Sequence, residues 1–188
     1  MFADEIPAKL DQSVVLKSLY FFALDEYFDA VVLTPACDIE QGKAELITST
    51  ALVSAWTLIA QLLKTDWKKE NLVDDDGRAI ARAALTNTKR KWLANQVKQL
   101  MRQQFPRYHW LGPLKDGSDP LIADFQILSC ISIDEARSAE RIGVLVSPFR
   151  EQLPTRYAAY MGRIGTPDTP VRVQEEWIGQ GIECLFPE

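Results

Sequence analysis

Pro35 sets the tightest limit on how this chain can fold. It closes an apolar run, Val31-Val32-Leu33-Thr34, and proline has no N–H to give to a sheet ladder, so strand pairing must end there. Ala36-Cys37-Asp38-Ile39 follows, then a polar turn, Glu40-Gln41-Gly42-Lys43, and a second apolar run, Ala44 to Thr48. The stretch from Val31 to Ser49 therefore reads as a strand, a Cys-Asp corner and a return strand. It is also the one place where a compact set of chemically able side chains sits on a rigid edge.

The rest of the chain supplies partners for these strands. Val14 to Ala23 is rich in β-branched and aromatic residues and reads as a strand, Ala30 to Thr34 as a second, with Asp25-Glu26 in the turn between them. From Ser54 the period changes: Ala55, Leu58, Ile59, Leu62 and Leu63 recur at helical spacing, with Ser54 or Thr50 as the cap. Asp74-Asp75-Asp76-Gly77 is a turn that opens a helix, where carboxylates suit the dipole; the alternating ligands and distal Glu of a calcium loop are missing. Arg78 to Gln104 reads as one long helix or two, ended by Pro106. Tyr108 to Leu111 is a short strand, Ile122 to Ile133 a long one, and Asp134 caps a short helix. Ile142 to Val146 is strand-like, Pro148 to Ile164 helical, Gly165 to Asp168 a stop, and Val171 to Ile178 a last short helix. Strands without regular helical crossovers predict an α+β fold rather than a doubly wound parallel sheet.

A length of 188 residues suits one core, and 47% hydrophobic residues with five Trp and eight Phe mark a globular chain. The net charge of −5 is mild but unevenly spread. From Gly77 to Lys115 there are nine of the 21 positive charges and none of the 26 acids. The three cysteines, Cys37, Cys130 and Cys184, are far apart and odd in number, which argues against a disulfide framework and a zinc knuckle. The opening residues lack a signal-peptide pattern and no apolar run approaches a membrane span, so a reducing cytoplasm is the expected setting.

Two stretches carry a resemblance. The first is the apolar strand into Thr34, Cys37-Asp38-Ile39, with its turn and the strand entering Ile47-Thr48-Ser49. The second is Arg141-Ile142-Gly143-Val144-Leu145, Ser147 to Leu153, Arg156-Tyr157 and Arg163-Ile164-Gly165. Together they resemble a group of uncharacterised bacterial proteins distantly similar to the MazF/PemK toxins. The resemblance implies a small antiparallel Src-homology-3-like barrel with inserted helices and a helical C-terminal part. It implies a single domain over residues 1–188, with barrel strands at 14–48 and 108–146, a helical insertion over 54–104 and C-terminal helices over 148–180. Toxins of that family are endoribonucleases whose chemistry uses an Arg at the start of the strand matching Ala30–Thr34 and a Thr or Ser at the end of the next. Thr48 or Ser49 matches the second role, while Phe28 and Asp29 stand where the Arg would be, and an anion there would repel a developing phosphate charge.

Each candidate for chemistry has a structural reading beside it. A carboxylate beside a thiol disfavours the thiolate a nucleophile needs, so Cys37 reads as a small packing residue and Asp38 as a turn residue bonding backbone amides. His109, the lone histidine, is a candidate base, but among Arg107-Tyr108-His109-Trp110 it reads as a half-buried packing residue with a satisfied ring nitrogen. The acid-free segment offers Arg78, Arg82, Lys89, Arg90, Lys91, Lys98, Arg102 and Arg107 to a nucleic acid or protein partner, with Trp92, Tyr108 and Trp110 as stacking surfaces; a plain solvated face is the third reading. Arg150, Arg156 and Arg163 are spaced to clamp an anion, though Glu151 suggests ordinary ion pairs. Neither a metal nor a cofactor is expected. The sequence thus points to a non-catalytic binding protein whose basic helical face takes a protein partner, a second copy of itself, or RNA or DNA. The alternatives are an endoribonuclease with a rearranged site built from Thr48, Arg78 or Arg82, and His109, and a subunit of a toxin–antitoxin or phage-defence assembly.

Overall fold

A computed structural model describes residues 2–3, 5–59, 61 and 86–162, apart from the side chains of Lys89 and Leu93. Its centre is one six-stranded antiparallel sheet. The strands are β1 (Val14–Phe21), β2 (Glu26–Val32), β3 (Leu46–Ser54), β4 (Tyr108–Pro113), β5 (Pro120–Ser132) and β6 (Arg141–Val144), ordered β4-β5-β3-β2-β1-β6. The helices are α1 (Ala36–Glu40), α2 (residues 55–59), α3 (Asn87–Met101), α4 (Ile133–Ser138) and α5 (Phe149–Met161). The α+β architecture expected from the sequence is therefore present. Arg78, Arg82, Arg163, the Asp74–Gly77 turn, the Gly165–Asp168 stop and the Val171–Ile178 helix lie outside the described residues.

Several boundaries differ from expectation, each for a local reason. β1 stops at Phe21 because Phe22 to Asp25 form a tight turn, in which Leu24 N–H donates to the Phe21 carbonyl at 3.0 Å and Asp25 sits at φ 55°. β2 therefore starts at Glu26, four residues earlier than the apolar run. Ser18 adopts φ 53° at a break in the β1–β2 register, and the Asp29 carboxylate accepts its N–H at 3.0 Å. Phe28 meets Phe21 edge-on at 5.4 Å. Both residues standing where the resemblance implies an Arg thus hold the hairpin together. β3 runs on to Ser54, whose hydroxyl then accepts Thr57 N–H at 3.5 Å as α2 begins. Thr50, the other candidate cap, instead donates its hydroxyl to the buried Asp124 carbonyl at 2.6 Å. Ser132, not Asp134, caps α4, accepting Glu135 N–H at 3.2 Å.

The sheet is covered on both faces. Along β1 and β2 the alternation sends Val14, Leu16, Ala30 and Val32 to one cluster, with Ile39 of α1 and Ala136 of α4. Val15 and Val31 go to the opposite cluster, with Phe125, Leu145 and the fully buried Leu153 of α5. Truncating a side chain buried like Leu153 costs about 2–5 kcal/mol. α2 and α3 share a third cluster, where Leu58, Ile59 and Leu100 meet Tyr108, Trp110 and Ile122.

The sheet curls into a half-barrel. Ala3 N–H donates to the Val144 carbonyl at 2.9 Å, and Phe2 forms a bridge with Leu145, so the N-terminal residues line the outer edge of β6. Leu114, just past β4, packs so closely on β6 that a Cβ at Gly143 would stand 2.6 Å from its Cδ1. The two edges of the sheet are thus brought together through Phe2, Leu114 and Gly143.

Candidate functional site

Two places gather the residues that chemistry or binding would need. The first is a cleft of about 440 Å³ beside the Cys-Asp corner, lined by Leu33, Thr34, Asp38, Lys43, Thr48 and Tyr157 among others. The corner itself is the helical turn α1. Its geometry is fixed by main chain: the Asp38 carbonyl accepts the N–H groups of Lys43 at 2.9 Å and Ala44 at 3.1 Å. The Asp38 carboxylate, expected to bond turn amides, instead takes a sulfur contact at 3.6 Å from Cys37. Cys37, expected to pack inside, is exposed. Thr34 Oγ1 accepts Thr48 N–H at 2.8 Å, which ties the segment between β2 and α1 to β3.

Thr48 sits opposite Cys130 in the β3–β5 ladder, and its hydroxyl lies 3.5 Å from the Cys130 sulfur. Tyr157 reaches the cleft from α5, and burial first, then nearby Cys130, raises its phenol pKa. Thr34, Lys43, Cys130 and Tyr157 are not among the catalytic candidates that the sequence offered. Cys130 and Thr48 share a sheet face, a relation visible only once the register is known.

His109 takes no part in this cleft. It is fully buried, stacks on Phe125 at 6.2 Å, and neither ring nitrogen has a hydrogen-bond partner. Burial, with Arg156 adding to it, pushes its pKa down to about 3, so the ring is neutral. The half-buried histidine with a satisfied nitrogen expected from the sequence is not what forms. A rearranged site joining Thr48 and His109 has no geometry to support it. The cleft lining holds one carboxylate and one ammonium, and no histidine that would serve as a base. Among the described residues no three His, Cys, Asp or Glu side chains come together as metal ligands.

The second place is α3. Leu100 is buried, and Trp92 and Val97 pack against the same cluster. Lys91, Lys98 and Arg102, spaced by seven and four, fall on the opposite side and are exposed. Arg90 is exposed too, and the helix contains no acid. Among the described residues no carboxylate forms an ion pair with Lys91, Lys98 or Arg102. The helix ends in a Schellman turn: Gln103, at φ 61°, donates its N–H to Leu100, and Gln104 N–H reaches the Gln99 carbonyl at 3.0 Å.

Two expectations for this segment change. Arg107 is not offered outward: its guanidinium grips the buried Asp124 with two bonds of 2.6 Å and lies over Tyr108. Tyr108 and Trp110 are buried, which removes them as stacking platforms, and Trp92 is partly buried against the same cluster. Arg150 pairs with Asp11 at 2.6 Å rather than with Glu151, and Arg156 donates to the carbonyls of Phe105 and Tyr108 at 3.2 Å.

No protein-family model and no curated protein matches the chain. Among solved structures, a chain of the MazE-MazF crystal structure (Form-II) from Deinococcus radiodurans aligns over 85% of this chain and 98% of that one, at 15% identity and a TM-score of 0.38. A likeness that slight carries no argument about activity or partners. Among the described residues no helix is long and apolar enough to cross a membrane.

Proposed function

We propose that this protein acts by binding rather than by catalysis, and that the outer face of α3 meets an acidic partner, protein or nucleic acid. One observation carries the reading: Lys91, Lys98 and Arg102 line up, exposed, on the face opposite the buried one, in a helix without an acid. Like charges four residues apart cost a helix a few tenths of a kcal/mol, so such a stripe is unfavourable until a partner neutralises it. The surroundings of two catalytic candidates support the same view: His109 is neutral and enclosed, and the Thr48 hydroxyl faces a sulfur.

Fluorescence anisotropy with single-stranded RNA and duplex DNA over a salt series tests the nucleic-acid branch. Replacing Lys91, Lys98 and Arg102 with Ala should lower the salt slope by about 2–3, since each phosphate contact contributes about 0.7–0.9. Equal binding by wild type and variant rules this face out as the nucleic-acid surface. Binding by neither leaves protein as the partner. An enzymatic reading keeps one supporting observation, the convergence of Asp38, Lys43, Thr48 and Tyr157 on one cleft. Cleavage of a mixed RNA pool that disappears in Thr48→Val, with the fold intact, would favour it.

A further inference from the structure

Charge is segregated a second time in this chain, with the opposite sign. From Ser18 to Gly42 there is no Lys or Arg, while Asp25, Glu26, Asp29, Asp38 and Glu40 are all acidic. The tip half of the β1–β2 hairpin, from Ser18 onward, falls inside that stretch, and the tip is aromatic and bare. Phe22 is 88% exposed and Tyr27 69%, with Tyr20 and Leu24 exposed beside them. Lone surface apolar residues need no explanation, but four within one hairpin tip, bordered by carboxylates, mark a contact surface.

The tip is also pre-organised. Tyr20 and Tyr27 are cross-strand partners with ring centroids 5.2 Å apart, the Tyr20 hydroxyl donates to the Asp25 carboxylate at 2.5 Å, and the Asp29 carboxylate holds the bulge at Ser18. Tyr20 and Tyr27 therefore have little side-chain freedom left to lose on docking, which favours affinity. An anionic membrane surface is a poor occupant, because the carboxylates of Asp25, Glu26 and Asp29 would face its charge. The complementary surface is a cationic one with some apolar area.

We propose that the occupant is a second copy of this chain, which lays the outer face of its α3 on the hairpin tip. This rests on the reading of α3 as a binding face and names its partner. Lys91, Lys98 and Arg102 meet the carboxylates of Asp25 and Glu26, while Met101, 52% exposed and next to Arg102, meets the aromatic tip. Each copy carries both surfaces, so a twofold axis satisfies hairpin and helix reciprocally. Clustered aromatic anchors are the usual make-up of a strong contact centre.

Sedimentation velocity over a concentration series in low salt tests this with three variants of the full chain. Phe22→Ser changes an exposed side chain and should weaken association by more than about tenfold. Asp25→Lys/Glu26→Lys should leave a monomer, and so should Lys91→Glu/Lys98→Glu/Arg102→Glu. Mixing the two charge-reversed proteins should restore association, because each then presents the charge the other lacks. Circular dichroism of each variant checks that loss of association is not loss of fold. A wild type that stays monomeric overturns the proposal, as does association indifferent to both reversals or a mixture that fails to recover. If the wild type is monomeric but the α3 variants lose binding to nucleic acid, the reading of α3 stands and only the choice of partner falls.

Discussion

Inside the cluster under α5, His109 carries two unpartnered ring nitrogens beside Phe125 and Arg156, and this makes its contribution to stability depend on pH. The unfolded chain takes up a proton near the ordinary histidine value of about 6.5, whereas the folded ring resists protonation down to about 3. Below the unfolded value the unfolded state binds more protons, so stability falls as pH drops through that window, by up to about 1.4 kcal/mol per pH unit. His109→Leu removes the unpartnered nitrogens and this dependence. Urea denaturation of both proteins should show the variant's advantage growing as the pH is lowered from neutral toward 5. An advantage of the same size throughout would mean that the folded ring is protonated or partnered. The sequence put His109 among aromatics correctly but misjudged its surroundings. On β4, Tyr108 and Trp110 face α3 while His109 and Leu111 face the other side, and both sides are covered. Alternation cannot rank two buried faces.

At the level of elements, punctuation was the most readable signal. β2 ends at Val32, shortly before Pro35, and the shift to a helical period at Ala55 falls at the end of β3, whereas β4 runs on to Pro113 and β5 starts at Pro120, beyond the Leu111 and Ile122 bounds expected from the sequence. The errors lie where a side chain or an unusual backbone angle moves a boundary. Asp25 in the left-handed region shortens β1 and lengthens β2. Ser132-Ile133-Asp134-Glu135 carries the Ser-x-x-Glu signature of a helix start, hidden because it ends a long strand. The candidate cleft was half legible: Asp38 and Thr48 belong to it, but Tyr157 arrives from an element more than 100 residues away. The end of α3 offers a direct test. Gln103 holds a left-handed conformation that glycine adopts without steric cost, and its buried Oε1 lacks a partner. Its amide bond to the Trp110 carbonyl is long, at 3.4 Å. Gln103→Gly should therefore raise the unfolding free energy by about 0.5–1 kcal/mol, read as a higher urea midpoint at unchanged slope.

Across the whole molecule, closure of the half-barrel depends on few residues. Phe2 packs with the cluster of Leu111, Leu145 and Leu153, and Ala3 bonds Val144, so the N-terminal residues join the two ends of the sheet. Phe2→Ala should cost about 1–3 kcal/mol, below the value for a fully buried ring because Phe2 is only partly buried. Hydrogen exchange should show the amides of β4 and β6 losing protection together while β3 keeps its own; loss confined to residues 2–3 would mean the closure is not cooperative. The same pairing has a meaning for solubility. The outer edge of β6 offers backbone groups that any extended segment can copy, and such rows seed fibrils when left bare. By laying Phe2 and Ala3 along that edge, the chain caps its own ladder, so damage to these residues would first be felt as a tendency to aggregate.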